Sequence, residues 1–242
     1  MTFSLSRRLA AEFIGTAFLL AAIVGSGIMA ERLSGSNVSL CLLENTLATG
    51  AALVALILAF SPVSGAHLNP AVTLASAWTG GIPWAEVAPY GCAQVSGGVA
   101  GVFVTHLMFG LPAIQFSQHA RSGPAQFLSE CVATFGLLAV IQGCARARPE
   151  SVAYAVGAYI TGAYWFTAST AFANPAVTIA RALSDTFTGI RPADVAPFIA
   201  AQLFGAAAAA FLYRWLVRVP RRQAARVPVV PELRGTGEIR FP

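Results

Sequence analysis

Asn69-Pro70-Ala71-Val72-Thr73-Leu74-Ala75 returns later in the chain as Asn174-Pro175-Ala176-Val177-Thr178-Ile179-Ala180. Asparagine caps helix N-termini well, and proline suits the first helical position because its missing N–H is not needed there. Asn69-Pro70 and Asn174-Pro175 therefore each read as the start of a helix. The apolar runs behind them end at about Trp78 and Leu183, too short for a bilayer core that takes roughly 20 residues. Half-helices that enter a membrane and stop fit this length. Each copy lies in an uncharged stretch, from Glu44 to Glu86 and from Ser151 to Arg181. Irregular backbone at such depth is tolerated only where it lines a cavity or is buried in protein.

The repeat extends outward from these segments. Ala11-Glu12-Phe13-Ile14-Gly15-Thr16 aligns with Ser129-Glu130-Cys131-Val132-Ala133-Thr134, and Pro89 and Gln94 with Gly98 echo Pro197 and Gln202 with Gly205 or Ala206. Both halves, about 7–109 and 126–217, keep one order: glutamate span, second span, Asn-Pro-Ala, third span. Three spans per half is an odd number, so the second half enters from the opposite face. An inverted repeat places its working site near the midplane between the halves.

Composition agrees. Hydrophobic residues make up 56% of the 242 and charged residues only 10%, against about 25% charged in soluble domains. Most of the surface must meet lipid. Candidate spans fall at approximately 8–30, 42–60, 86–109, 126–145, 151–168 and 194–217. The short basic N-terminus mimics a signal peptide, but Glu12 interrupts it and the apolar run continues to Ala30, so an uncleaved first span is expected. The net charge of +5 rests on arginine alone. Arg7, Arg8, Arg146, Arg148 and the tail from Arg214 become cytoplasmic if both termini lie inside, leaving Arg32, Arg121, Arg181 and Arg191 outside, as the positive-inside rule asks. No aromatic-basic surface for nucleic acid appears. The expected fold is an all-α membrane protein of six transmembrane helices and two re-entrant half-helices. One channel domain covers 1–218, and 219–242 is read as a disordered basic cytoplasmic tail.

Two helix N-termini, each worth about half a positive charge, would converge on a narrow lumen and raise the barrier to cations. The asparagine amides would replace part of a solute's hydration. Glu12 and Glu130 are the acids within their spans, at equivalent positions. Bracing the re-entrant loops through free backbone N–H groups is their expected role, since a carboxylate at that depth needs partners; snorkelling to the interface is the alternative, chiefly for Glu12. His67, just before the first motif, faces the cytoplasmic vestibule as a structural histidine or a pH sensor. Cys41, Cys92, Cys131 and Cys144 show no metal spacing and read as small hydrophobes. No cofactor or metal site is expected.

These motifs, together with Ser64-Gly65-Ala66-His67-Leu68-Asn69-Pro70-Ala71-Val72-Thr73, resemble the aquaporin (major intrinsic protein) family over residues 7 to about 217. The resemblance implies one pore per protomer, in a cell-membrane homotetramer. It also implies a selectivity constriction at four positions, carried over by ungapped spacing to Thr49, Gly162, Ala171 and Val177. Water-selective members typically place an aromatic, a histidine and an arginine at the first, second and fourth of these, and glycerol facilitators keep the arginine and aromatics. Here Val177 replaces the arginine and none of the four is aromatic, so a wider, less cationic filter is expected. Arg181 is not the filter arginine by spacing, although i and i+4 share a helix face. Loss of the arginine looks like the bacterial aquaporins associated with arsenic resistance. Undissociated arsenous acid, antimonous acid or methylated arsenate then join water and glycerol as expected solutes.

A secondary transporter is the alternative, since carriers also use inverted repeats and broken helices, but the spans offer few coupling-ion ligands beyond Glu12 and Glu130. An intramembrane enzyme is not expected, for want of HExxH, GxSxG or a nucleophile–base set near either motif. A junction-forming relative with a closed pore fits poorly with short loops and small filter residues.

Overall fold

The computed structural model describes residues 3–217; the tail expected over 219–242 lies outside them. Eight α-helices form in the described residues: α1 Leu5–Leu33, α2 Val38–Ser64, α3 Pro70–Trp78, α4 Val87–Met108, α5 Pro124–Ala147, α6 Val152–Phe166, α7 Pro175–Arg181 and α8 Pro192–Leu216. Short 3-10 turns at Trp84–Glu86 and Pro149–Ser151 lead into α4 and α6. Asn37, Asn69 and Asn174 cap α2, α3 and α7 through their side-chain oxygens, and Pro70, Pro124, Pro175 and Pro192 occupy first turns.

The two halves pack alike. Helix α1 lies on α2 and α4, as α5 lies on α6 and α8. The halves then interlock: α3 reaches over to α8, α7 to α4, and α2 meets α6. Glycines set the closest approaches. A Cβ at Gly97 would stand 2.3 Å from the Phe13 carbonyl oxygen, and one at Gly205 2.3 Å from that of Cys131. Phe13 and Cys131 follow the two repeated glutamates, so one backbone-to-backbone contact occurs twice. Small residues at helix interfaces do this in membranes, where packing rather than water exclusion drives association.

Polarity is arranged inside out. Glu12, Gln94, Glu130 and Gln202 are fully buried, while Phe18, Phe204 and Trp215 on the outer faces are more than 60% exposed. An exposed apolar belt of this extent fits a lipid environment.

The helix ends refine the expected spans. Helices α1, α2, α5, α8 and α4 with its leading turn are long and apolar enough to cross a membrane. Helix α6, expected over 151–168, has 15 residues and covers about 22 Å at 1.5 Å per residue. It stops at Phe166 because Thr167 turns extended, with φ −114° and ψ 139°. From there the chain runs without helix to Pro175, where α7 begins. Helix α7 likewise ends at Arg181 rather than at Leu183.

Candidate functional site

Each half-helix is preceded by a segment of strained backbone. Gly65, Ala66 and Leu68 have φ of 88°, 46° and 50°, and Thr170, Ala171 and Ala173 have φ of 59°, 45° and 49°. Five of these six are not glycine, and left-handed backbone costs such residues about 1–3 kcal/mol each. The buried glutamates hold it in place. Glu12 accepts from Ser64 Oγ at 2.7 Å, His67 N at 2.9 Å, Leu68 N at 2.7 Å and Gln94 Nε2 at 2.7 Å. Glu130 accepts from Ser169 Oγ at 2.6 Å, Phe172 N and Ala173 N both at 2.9 Å, and Gln202 Nε2 at 2.6 Å. Both carboxylates are fully buried, which makes snorkelling an unsuitable description of either. A carboxylate with four donors offsets its desolvation through charge-assisted bonds.

The turn delivers Asn69 and Asn174 to one place. Asn69 Nδ2 donates to the Ala173 carbonyl and Asn174 Nδ2 to the Leu68 carbonyl, each at 2.8 Å, so each half grips the segment before the other's half-helix. Their Oδ1 atoms cap the half-helices, accepting from Ala71 N at 2.9 Å and Ala176 N at 3.0 Å. A primary amide has two N–H donors. One is committed in each asparagine, which leaves the second N–H on a residue that lines a cavity.

Both asparagines line a cavity of about 530 Å³. It is walled by Leu19, Ile23, Leu53, Ile57, Val156 and Ile160 and dotted with polar groups. The conduit therefore has an apolar wall and a few convergent donors. His67 also lines it, with Nδ1 3.2 Å from Thr73 Oγ1 and its ring against Tyr90 at 5.5 Å. Those contacts describe a packed, hydrogen-bonded histidine.

Of the four constriction positions, Thr49, Ala171 and Val177 line the cavity and Gly162 does not. Gly162 is exposed on the far face of α6, with open space where a Cβ would stand. Counting back from Asn174 lands on Gly162, but α6 presents Tyr164 and not Gly162 to the cavity. On α6 the cavity face runs Val152, Val156, Ile160 and Tyr164, the four-residue step of a helix face. The Tyr164 hydroxyl lies 3.5 Å from Thr49 Oγ1. That periodicity was the sequence signal for Tyr164.

Arginine and aromatic side chains reach the cavity from outside the four expected positions. Arg181 lines the same cavity, as do Tyr164 and Phe172. Arg181 is 2% exposed, its Nε donates to the Thr188 carbonyl, and its guanidinium stacks on Phe172 at 3.4 Å. Arg121 approaches the same ring at 5.0 Å and ties down the segment before α8 by donating to the carbonyls of Gly189 and Phe187. One turn separates Val177 from Arg181, so the i, i+4 relation carried this information in the sequence.

Among the described residues no group of His, Cys, Asp and Glu could hold a metal ion, and none of the four cysteines lines the cavity.

Comparison with known proteins follows the same line. The family model described as major intrinsic protein matches residues 1–150 and 145–238. The chain is 52% identical over 219 residues to aquaglyceroporin AqpS of Rhizobium meliloti, covering 90% of this chain and 94% of that protein. It is 35% identical over 218 residues to aquaporin NIP1-3 of Oryza sativa subsp. japonica, covering 86% and 73%. The X-ray structure of the aquaglyceroporin from Plasmodium falciparum shares the fold, with a TM-score of 0.66 at 23% identity over 87% of this chain and 96% of that one.

Proposed function

The chain belongs to the major intrinsic protein family, and from that premise we propose that residues 1–218 form a passive channel for water, glycerol and bulkier neutral hydroxy-solutes, including undissociated arsenous acid. One observation carries this reading: Asn69 and Asn174, on half-helices from the two halves of the chain, line one cavity while each amide braces the other half. The spare amide N–H of each replaces part of a solute's hydration. The positive ends of α3 and α7 face the lumen together and repel cations, hydronium included. A neutral solute crosses without a proton relay or a coupled ion, and no chemical step is needed.

Solute range is set outward of the asparagines by Thr49, Tyr164, Ala171 and Val177, with Arg181 beyond them. Alanine and valine on the α7 side leave room for a solute wider than water, and supply no donors. Thr49 and Tyr164 supply hydroxyls opposite. Arsenous acid suits such a site because, like glycerol, it presents three hydroxyls and no charge. By charge asymmetry both termini lie in the cytoplasm of a cell-membrane protein. The apolar outer faces accommodate lipid and, by family likeness, three further copies in a homotetramer.

Stopped-flow light scattering on reconstituted vesicles tests the reading. Water, glycerol and arsenous acid should each equilibrate faster than in protein-free vesicles, without saturation and without an ion gradient. Saturating, gradient-dependent entry would identify a carrier instead.

A further inference from the structure

Arg181 poses a problem that passage of neutral solutes does not resolve. Its side chain is 2% exposed, yet among the described residues it forms no salt bridge. Its Nε is satisfied by the Thr188 carbonyl and one face is covered by Phe172, but Nη1 is buried without a partner. A buried charge lacking its counter-charge is costly, as is a buried donor left unmade. The nearby acid offers no relief, because Glu130 is occupied by Ser169, Phe172, Ala173 and Gln202. Arg121, the second guanidinium on the Phe172 ring, adds positive charge and spends its N–H groups on the carbonyls of Gly189, Ser169 and Phe187. The open donor thus belongs to a residue in a region of surplus positive charge, and Arg181 lines the cavity together with Val177, Ala171 and Tyr164.

We propose that Arg181 makes the outer half of the lumen a binding site for a small, singly charged oxyanion. The unpartnered Nη1 and the missing counter-charge both point to an occupant that brings an acceptor oxygen and a negative charge. A charge-assisted hydrogen bond supplies both and is roughly twice as strong as a neutral one. Small wall residues at 171 and 177 leave room for a compact head, and Thr49 and Tyr164 line the same cavity. An ammonium-type cation meets only like charge there. The inference rests on the channel reading, since the site is part of the same lumen.

Formate is the probe, with formamide as its neutral counterpart of equal size. Osmotic water flux is measured in vesicles holding the full chain at pH 7.5, at rising sodium formate with ionic strength held by sodium chloride. Formate should slow water flux in a saturable way, and formamide should not. In Arg181→Gln the formate concentration for half-block should rise by about tenfold or more, the loss of one charged hydrogen bond. Arg181→Lys should fall between, keeping the charge but not the planar fork. Each variant's anion-free water flux is its own reference, and if Arg181→Gln gives none, the wild-type contrast and Arg181→Lys decide. Equal effects of formate and formamide, or one formate dependence in all three proteins, overturn the proposal. Absence of water flux in the wild type before any anion is added counts against the channel reading instead.

Discussion

Glu130 gathers four donors from two parts of the chain, the segment 169–173 and α8, so its removal should be felt well beyond one side chain. In Glu130→Ala the N–H groups of Phe172 and Ala173 lose their acceptor while the left-handed backbone at Thr170, Ala171 and Ala173 loses what holds it. Bonds to charged groups are worth about 1.5–3 kcal/mol each, so a loss of at least ~3 kcal/mol is expected. Thermal unfolding in detergent should show a much lower midpoint for Glu130→Ala than for Glu150→Ala, whose carboxylate lies on an exposed turn. The role proposed for Val177 is tested on a different property, solute range. Val177→Arg sets a second guanidinium one turn inward of Arg181, on a wall where alanine and valine now leave space. Glycerol and arsenous acid fluxes should fall several-fold more than water flux; equal losses for all three would remove Val177 from the constriction.

At the scale of elements, close approach of backbones decides which helices can pair. The Gly205 contact has no flexible side chain to yield, since the nearest atom to a Cβ there is the Cys131 carbonyl oxygen at 2.3 Å. Gly205→Ala should push α8 off α5 at about 1–3 kcal/mol, the usual cost of overpacking, read as a lower unfolding midpoint. Gly162→Ala, facing open space on α6, should change neither stability nor glycerol flux. Altered selectivity in Gly162→Ala would return that glycine to the lumen. These two glycines also mark how far the chain could be read unaided. The half-helices, the paired glutamates and the order of spans were legible because each rests on a local rule applied twice: a cap, a proline, an acid that needs donors. Gly162 was placed on the lumen and Tyr164 overlooked because counting back from Asn174 fixes a position in the chain but not which face of α6 that position takes. Arg181 sat in plain view on the face of Val177, but whether a guanidinium turns inward depends on a ring to stack on and a carbonyl to meet. Phe172 and Thr188 come from loops whose course no periodicity encodes.

For the molecule as a whole, the central claim is one continuous aqueous path that passes α3 from one face and α7 from the other, meeting at Asn69 and Asn174. Val72 and Val177 line the cavity from these two half-helices, and the native cysteines stay clear of it. The direct test is osmotic water flux in vesicles carrying Val72→Cys or Val177→Cys, before and after a charged methanethiosulfonate reagent. The account predicts that water flux stops in both variants and persists in the unmodified sequence. Undiminished flux in both labelled variants, or equal loss in the protein with only its native cysteines, would contradict it.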